Sequence, residues 1–200
     1  MVKVQPFQYQ AVVIGASAGG LKVLAEVCGA LPKGFALPIL VVQHLHPQSR
    51  YSIQLRNYCV GLQLKNKEAD NRELPVPGTI YFAPPNYHLL VEADYSLALS
   101  VDEKVNMSRP SIDVLFESAA EAYGAGLIGI ILSGASGDGA AGLKQIKRAG
   151  GLTIAQNPVT AEAKIMPAAA IATGAVDHVL EPREIASLLL RIVQRGEAGC

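Results

Sequence analysis

The chain has 200 residues, 50% of them hydrophobic, enough to bury one substantial core, so a single domain is the expectation. Its 17 basic side chains balance 17 acidic ones; with no polybasic face or acidic tail, nothing supports an electrostatic grip on nucleic acid or anionic lipid. No apolar stretch reaches the ~20 residues of a membrane span, Met1–Gln10 lacks a signal architecture, and three widely spaced cysteines, Cys28, Cys59 and Cys200, suggest a reducing compartment.

A soluble cytoplasmic protein without membrane insertion is therefore expected. The first element is the apolar strand Ala11–Ile14, which stops at Gly15-Ala16-Ser17-Ala18-Gly19-Gly20 and restarts as a helix through Leu21, Val23, Leu24 and Val27. A serine at such a corner has an exposed hydroxyl beside the free N–H groups of a helix N-terminus, as nucleophilic attack on an acyl carbon requires. A dinucleotide fingerprint would want glycine at position 17 and an acid about twenty residues on; the chain has Ser17 and Gln43-His44. No Gly-Lys-Ser/Thr follows, which excludes a P-loop. A corner that merely lets helix pack on strand is the plain alternative.

Leu31-Pro32-Lys33-Gly34 breaks the helix, Pro38–Gln43 forms a second buried strand, His44-Leu45-His46-Pro47 turns, and Ser49–Tyr58 reads as a helix. Strand-like pieces at Thr79–Ala83, Tyr87–Glu92 and Ser96–Val101, separated by turn residues, suggest a small antiparallel excursion. Then come a helix over Pro110–Ala122, a fully apolar strand Gly126–Leu132, a helix Gly139–Ala149, a strand Gly151–Ala155, a helix near Pro167–Ala172, a strand Ala175–Leu180 and a helix Pro182–Gln194, with Gly196–Cys200 as a short tail. Fully apolar strands alternating with helices imply an α/β, doubly wound, mostly parallel sheet covered on both faces.

In such folds functional groups gather at the carboxyl ends of the strands. Three strand ends carry reactive chemistry: Ser17, His44, and Asp138 in the turn Ser133-Gly134-Ala135-Ser136-Gly137-Asp138-Gly139. If these strands are neighbours, serine, imidazole and carboxylate form a triad: the imidazole accepts the serine proton, the carboxylate fixes its tautomer, and backbone N–H groups hold the oxyanion. Asp138 could instead be an N-cap for the helix at Gly139, and Asp113 is explained as a first-turn helix acid. Surface exposure is enough to explain His46, while His88 in the antiparallel excursion and His178 on a late strand are not at this edge. The order Ser–His–Asp differs from the Ser–Asp–His order of α/β-hydrolases.

The sequence resembles the catalytic domain of the chemotaxis protein-glutamate methylesterases, the CheB family. The likeness runs through Val13–Gly20, Val42-Gln43-His44, Ile80–Pro84, Arg109–Phe116, Gly137–Gly142 and Thr153–Asn157, in order from about residue 10 to 195. It implies Ser17 as nucleophile, His44 as base, Asp138 as orienting acid, and the backbone N–H groups of Ala18 and Ala135 as oxyanion donors. It also implies hydrolysis of γ-glutamyl methyl esters on chemoreceptor cytoplasmic helices, or on another methylated protein, with glutamine deamidation in some members and no metal or cofactor. The family commonly has threonine and methionine at positions 18 and 135 and asparagine at 137.

Typical members begin with a receiver domain. Here the catalytic fold would start within about ten residues of Met1, leaving no room for the ~100 residues of a receiver; the expectation is either regulation by a partner, such as a separate receiver domain, or a chain that is a fragment or free-standing paralogue. The rival readings are a docking module of the same fold without turnover, and a nucleotide-binding domain. Arg109 could clamp an anionic substrate surface or pair with a neighbour, and Phe82 and Tyr87 could line the approach or belong to the core.

Overall fold

The computed structural model describes residues 9–44, 59 and 61–197. The helix expected over Ser49–Tyr58, His46 and the chain beyond Glu197 lie outside the described residues. Among the described residues there are nine strands: β1 Ala11–Ala16, β2 Ile39–Gln43, β3 Lys65–Glu68, β4 Thr79–Phe82, β5 His88–Val91, β6 Leu97–Ser100, β7 Leu127–Ile131, β8 Leu152–Gln156 and β9 His178–Leu180. The helices are α1 Gly20–Gly29, α2 Ile112–Tyr123, α3 Ala140–Arg148, α4 Ile165–Ala172 and α5 Pro182–Glu197. Seven strands form a parallel sheet in the order β3-β4-β2-β1-β7-β8-β9, while β5 and β6 pair antiparallel.

Strand residues alternate between faces, so an all-apolar strand in a covered sheet feeds two cores. In β1, Val12, Ile14 and Ala16 join one cluster with Val23, Leu24 and Val27 of α1 and Ile185 and Leu189 of α5. Ala11 and Val13 join the other, with Leu115 and Phe116 of α2, Leu143 and Ile146 of α3 and Met166 of α4. β2 divides the same way, Ile39 and Val41 against Leu40 and Val42. Each such side chain contributes about 1.5–3 kcal/mol when removed from water. The helices expected on both faces are there.

Two assignments change. Thr79–Phe82 is not part of the antiparallel excursion: all four residues are buried and the strand pairs in parallel with β2, Ile39 opposite Ile80. Only β5 and β6 make the excursion, and β6 is mostly half-buried. The sequence also hid β3, Lys-Asn-Lys-Glu, which is exposed along its length and closes one edge of the sheet. Charged residues on an edge strand discourage pairing with other chains, and they also remove the hydrophobic signal that marks a strand.

The chain runs from β1 outward to β2 and β4, then returns to place β7 on the other side of β1. The strand order therefore reverses beside β1, where α/β sheets open a crevice at their carboxyl edge. Ser17, His44 and Asp138 follow three adjacent strands, β1, β2 and β7.

Candidate active site

Ser17 continues β1 into its turn. Its N–H donates to Ser133 O at 2.9 Å, and its carbonyl accepts Gly20 N at 2.9 Å and Gln43 Nε2 at 2.8 Å. Its half-exposed side chain makes no hydrogen bond among the described residues. Gly19 takes a left-handed φ of 71° to open α1, and a Cβ there would meet Glu162 Cβ at 2.6 Å; both conditions demand glycine. Ser133 Oγ donates to Ala18 O at 2.7 Å and accepts Ala163 N at 2.9 Å, fastening the turn after β1 to those after β7 and β8. Ala18 and Ala135 are exposed, and neither N–H has an acceptor among the described residues.

His44 sits one register step beyond the pair Ala16↔Gln43, and its N–H donates to Ala16 O at 2.9 Å. Ser17 occupies the matching step on β1, so Ser17 and His44 stand on neighbouring strand ends, about 4.8 Å apart in the pairing direction. Gln43 lies between them. Its Nε2 donates to both Ser17 O and His44 O at 2.8 Å, while its buried Oε1 has no partner among the described residues. The opposite amide orientation would set an oxygen against two carbonyls, so this one is fixed by its contacts.

His44 Nε2 lies 2.9 Å from Asp138 Oδ2. Asp138 is 1% exposed and is not the cap of its own helix, whose N-cap is Gly139. It caps α2 instead: Ile112 N donates to Oδ2 at 2.7 Å and Asp113 N to Oδ1 at 3.2 Å. Ser111 Oγ at 2.8 Å and Asn106 Nδ2 at 2.7 Å complete the Oδ1 side. An anion at a helix N-terminus is stabilised by the free N–H groups and the helix dipole. Gly139 makes the arrangement close, since a Cβ there would come within 2.6 Å of Ile112 Cγ2 and its φ is 93°.

Burial alone would raise the Asp138 pKa. The bonds from His44, Asn106, the Ile112 N–H and Ser111 outweigh it and bring the value down to about 2. A carboxylate depressed from about 3.9 when unfolded contributes stability above that pH and loses it as pH falls toward the folded value. The contribution is about 2 kcal/mol. In urea unfolding, the stability gap between the parent and Asp138→Asn should shrink by roughly this amount from about pH 5 to about pH 2; a gap independent of pH would contradict the assignment.

Several contributors were not legible beforehand. Asp113 does lie in the first turn of α2, but its Oδ1 accepts Gly142 N from α3 and its Oδ2 accepts Asn106 Nδ2, both at 2.7 Å. Burial pushes its carboxyl upward against the Gly142 N–H, and the charge of Asp138 pushes it further. His88 is buried and accepts Ser111 N on Nδ1 at 3.2 Å while its Nε2 donates to Glu103 O, so it braces the segment that carries Ser111. His178 is exposed on β9.

Arg109 Nη1 donates to the carbonyls of Val101 and Asp102 at 2.6 and 2.7 Å; a clamp on substrate would have to draw on its other N–H groups. Phe82 belongs to the core and Tyr87 is exposed beyond β4. Cys28 is buried, its thiol pushed up to about 12, as a packing residue requires. Among the described residues, no three His, Cys, Asp or Glu side chains group as a metal site and no helix is long and apolar enough to cross a membrane.

The sequence profile of the family described as CheB methylesterase matches residues 12–189. A Leptospira interrogans protein named putative protein-glutamate methylesterase/protein-glutamine glutaminase is 48% identical over 94% of this chain and 97% of its own length. A Burkholderia lata protein named protein-glutamate methylesterase/protein-glutamine glutaminase 3 is 38% identical over 93% of this chain, which spans 52% of that protein. The crystal structure of the Thermotoga maritima CheB methylesterase catalytic domain superimposes with a TM-score of 0.87 at 36% identity, over 92% of this chain and 99% of that one.

Proposed function

The chain belongs to the CheB methylesterase family, and from that premise we propose that it is a serine-type hydrolase of glutamyl γ-methyl esters on chemoreceptor proteins. The observation that carries the mechanism is the His44 Nε2–Asp138 Oδ2 contact of 2.9 Å beside Ser17 on the adjoining strand end. With Nε2–H directed at Asp138, the free lone pair of the imidazole is on Nδ1 and is available to the Ser17 hydroxyl.

Ser17 Oγ attacks the γ-carbonyl carbon while His44 takes its proton. The carbonyl π electrons move to oxygen, and the N–H groups of Ala18 and Ala135, which have no acceptor among the described residues, are the donors assigned to that charge. The tetrahedral adduct collapses, the C–OCH3 bond breaks, and His44 returns the proton so that methanol leaves. Water repeats the sequence on the acyl-serine, with His44 again the base, and releases the glutamate carboxylate and Ser17. Asp138 stays ionised throughout, consistent with its pKa of about 2. The same steps convert a glutaminyl amide to glutamate with ammonia as leaving group.

Incubation with a methyl-labelled receptor cytoplasmic fragment should release methanol at a rate proportional to protein. A fragment that binds but keeps its methyl groups would reject this function and leave a docking module of the same fold.

A further inference from the structure

Asn106 lies on an exposed surface turn, and no step of the hydrolytic cycle uses it. Val105 and Ser108 exchange backbone hydrogen bonds across the tip, at 3.2 and 2.9 Å. The two tip residues, Asn106 and Met107, have φ values of 51° and 60°, as a type I′ turn requires. Met107 is 92% exposed. Left-handed backbone is unfavourable for such a residue and persists where its surroundings hold it, often at functional sites.

What holds the tip is the Asn106 side chain, which turns inward. Its Nδ2 donates to Asp138 Oδ1 and to Asp113 Oδ2, each at 2.7 Å. Among the described residues it is the one side chain that bonds both carboxylates. We propose that Asn106 is a positioning residue of the hydrolase, bridging Asp113 and Asp138 so that the orienting acid stays fixed with Oδ2, which also accepts the Ile112 N–H, turned to His44. The inference rests on the triad reading.

Two buried carboxylates in one network repel, and each needs its own donors. The amide gives one N–H to each and adds no charge. The groups facing it are Asp113 and Asp138, with His44 beyond Asp138 and Glu117 on α2 close enough for its carboxyl to be raised, by burial first and then by Asp113. Arg109 turns its guanidinium to carbonyls instead, and His88 reaches this network through Ser111 N.

Asn106→Gly separates the side chain from the turn, because glycine accepts the same φ without the amide. The readouts are the NMR signal of the His44 Nε2 proton shared with Asp138, and kcat and KM for methyl-ester hydrolysis. The expected result is a turn that still forms, a shifted or lost imidazole signal, and kcat lowered about tenfold or more at unchanged KM, as for one hydrogen bond to a charged group. Asn106→Asp should donate while its new carboxyl is protonated and repel once ionised, adding a falling limb toward high pH where the parent is flat.

Parental kcat and a parental imidazole signal in Asn106→Gly would reduce Asn106 to a turn residue and overturn the proposal. Were Asn106→Gly not to fold, a parental pH profile in Asn106→Asp would overturn it equally. If the parent releases no methanol, the hydrolase reading fails, and the imidazole signal alone then decides Asn106: lost in its favour, unchanged against it.

Discussion

Ser17→Ala should remove methyl-ester hydrolysis, lowering kcat on the order of 100,000-fold or more, the scale seen when a triad serine is deleted. The structure argues that little else changes. Ser17 Oγ makes no hydrogen bond among the described residues, its side chain is half-exposed, and the bonds that shape the turn come from its backbone. Thermal unfolding should therefore match the parent, and binding of the methylated fragment should persist. A substantial residual rate would mean that another group attacks the ester.

Asp138→Asn should lower kcat about 10,000-fold, because an amide in place of the carboxylate favours the wrong imidazole tautomer. Here the cost extends beyond the tautomer. Both carboxylate oxygens accept donors: His44 and the Ile112 N–H on Oδ2, and Asn106, Ser111 and the Asp113 N–H on Oδ1. Either orientation of an introduced amide sets an NH2 group against N–H or O–H groups, which costs about 1–3 kcal/mol in a buried site. The variant should thus be both inactive and less stable, unlike Ser17→Ala. Parental stability with full loss of rate would show that the network around Asp138 serves orientation alone.

The parts of this arrangement that were legible are those with a local signature. Apolar runs alternating with helical periodicity gave the doubly wound sheet, and the glycine-flanked corner singled out Ser17. The convergence of Ser17, His44 and Asp138 requires only that their strands be neighbours, and the order β2-β1-β7 makes them so. The strand Lys65–Glu68 was illegible because an edge strand needs no apolar residues. Thr79–Phe82 was grouped with its sequence neighbours because spacing alone cannot tell a strand buried on both faces from a hairpin arm.

The network around Asp138 was hidden for a different reason. Asp138 reads as an N-cap of the helix that follows it, yet it caps a helix 26 residues earlier in the chain. Asp113 reads as a first-turn acid, yet it bonds Gly142. Such partnerships depend on how helices cross, and no short pattern encodes them. Gln43, which ties the backbones of Ser17 and His44 together, was visible only as the residue before a histidine.

The most direct test of the triad is reaction of the protein with a fluorophosphonate, followed by peptide mass spectrometry and a methanol-release assay of the same sample. One adduct on Ser17, loss of methanol release in step with labelling, and no labelling of His44→Ala are the expected results. An adduct elsewhere, or full methanol release from protein labelled at Ser17, would contradict the assignment of Ser17 as the nucleophile.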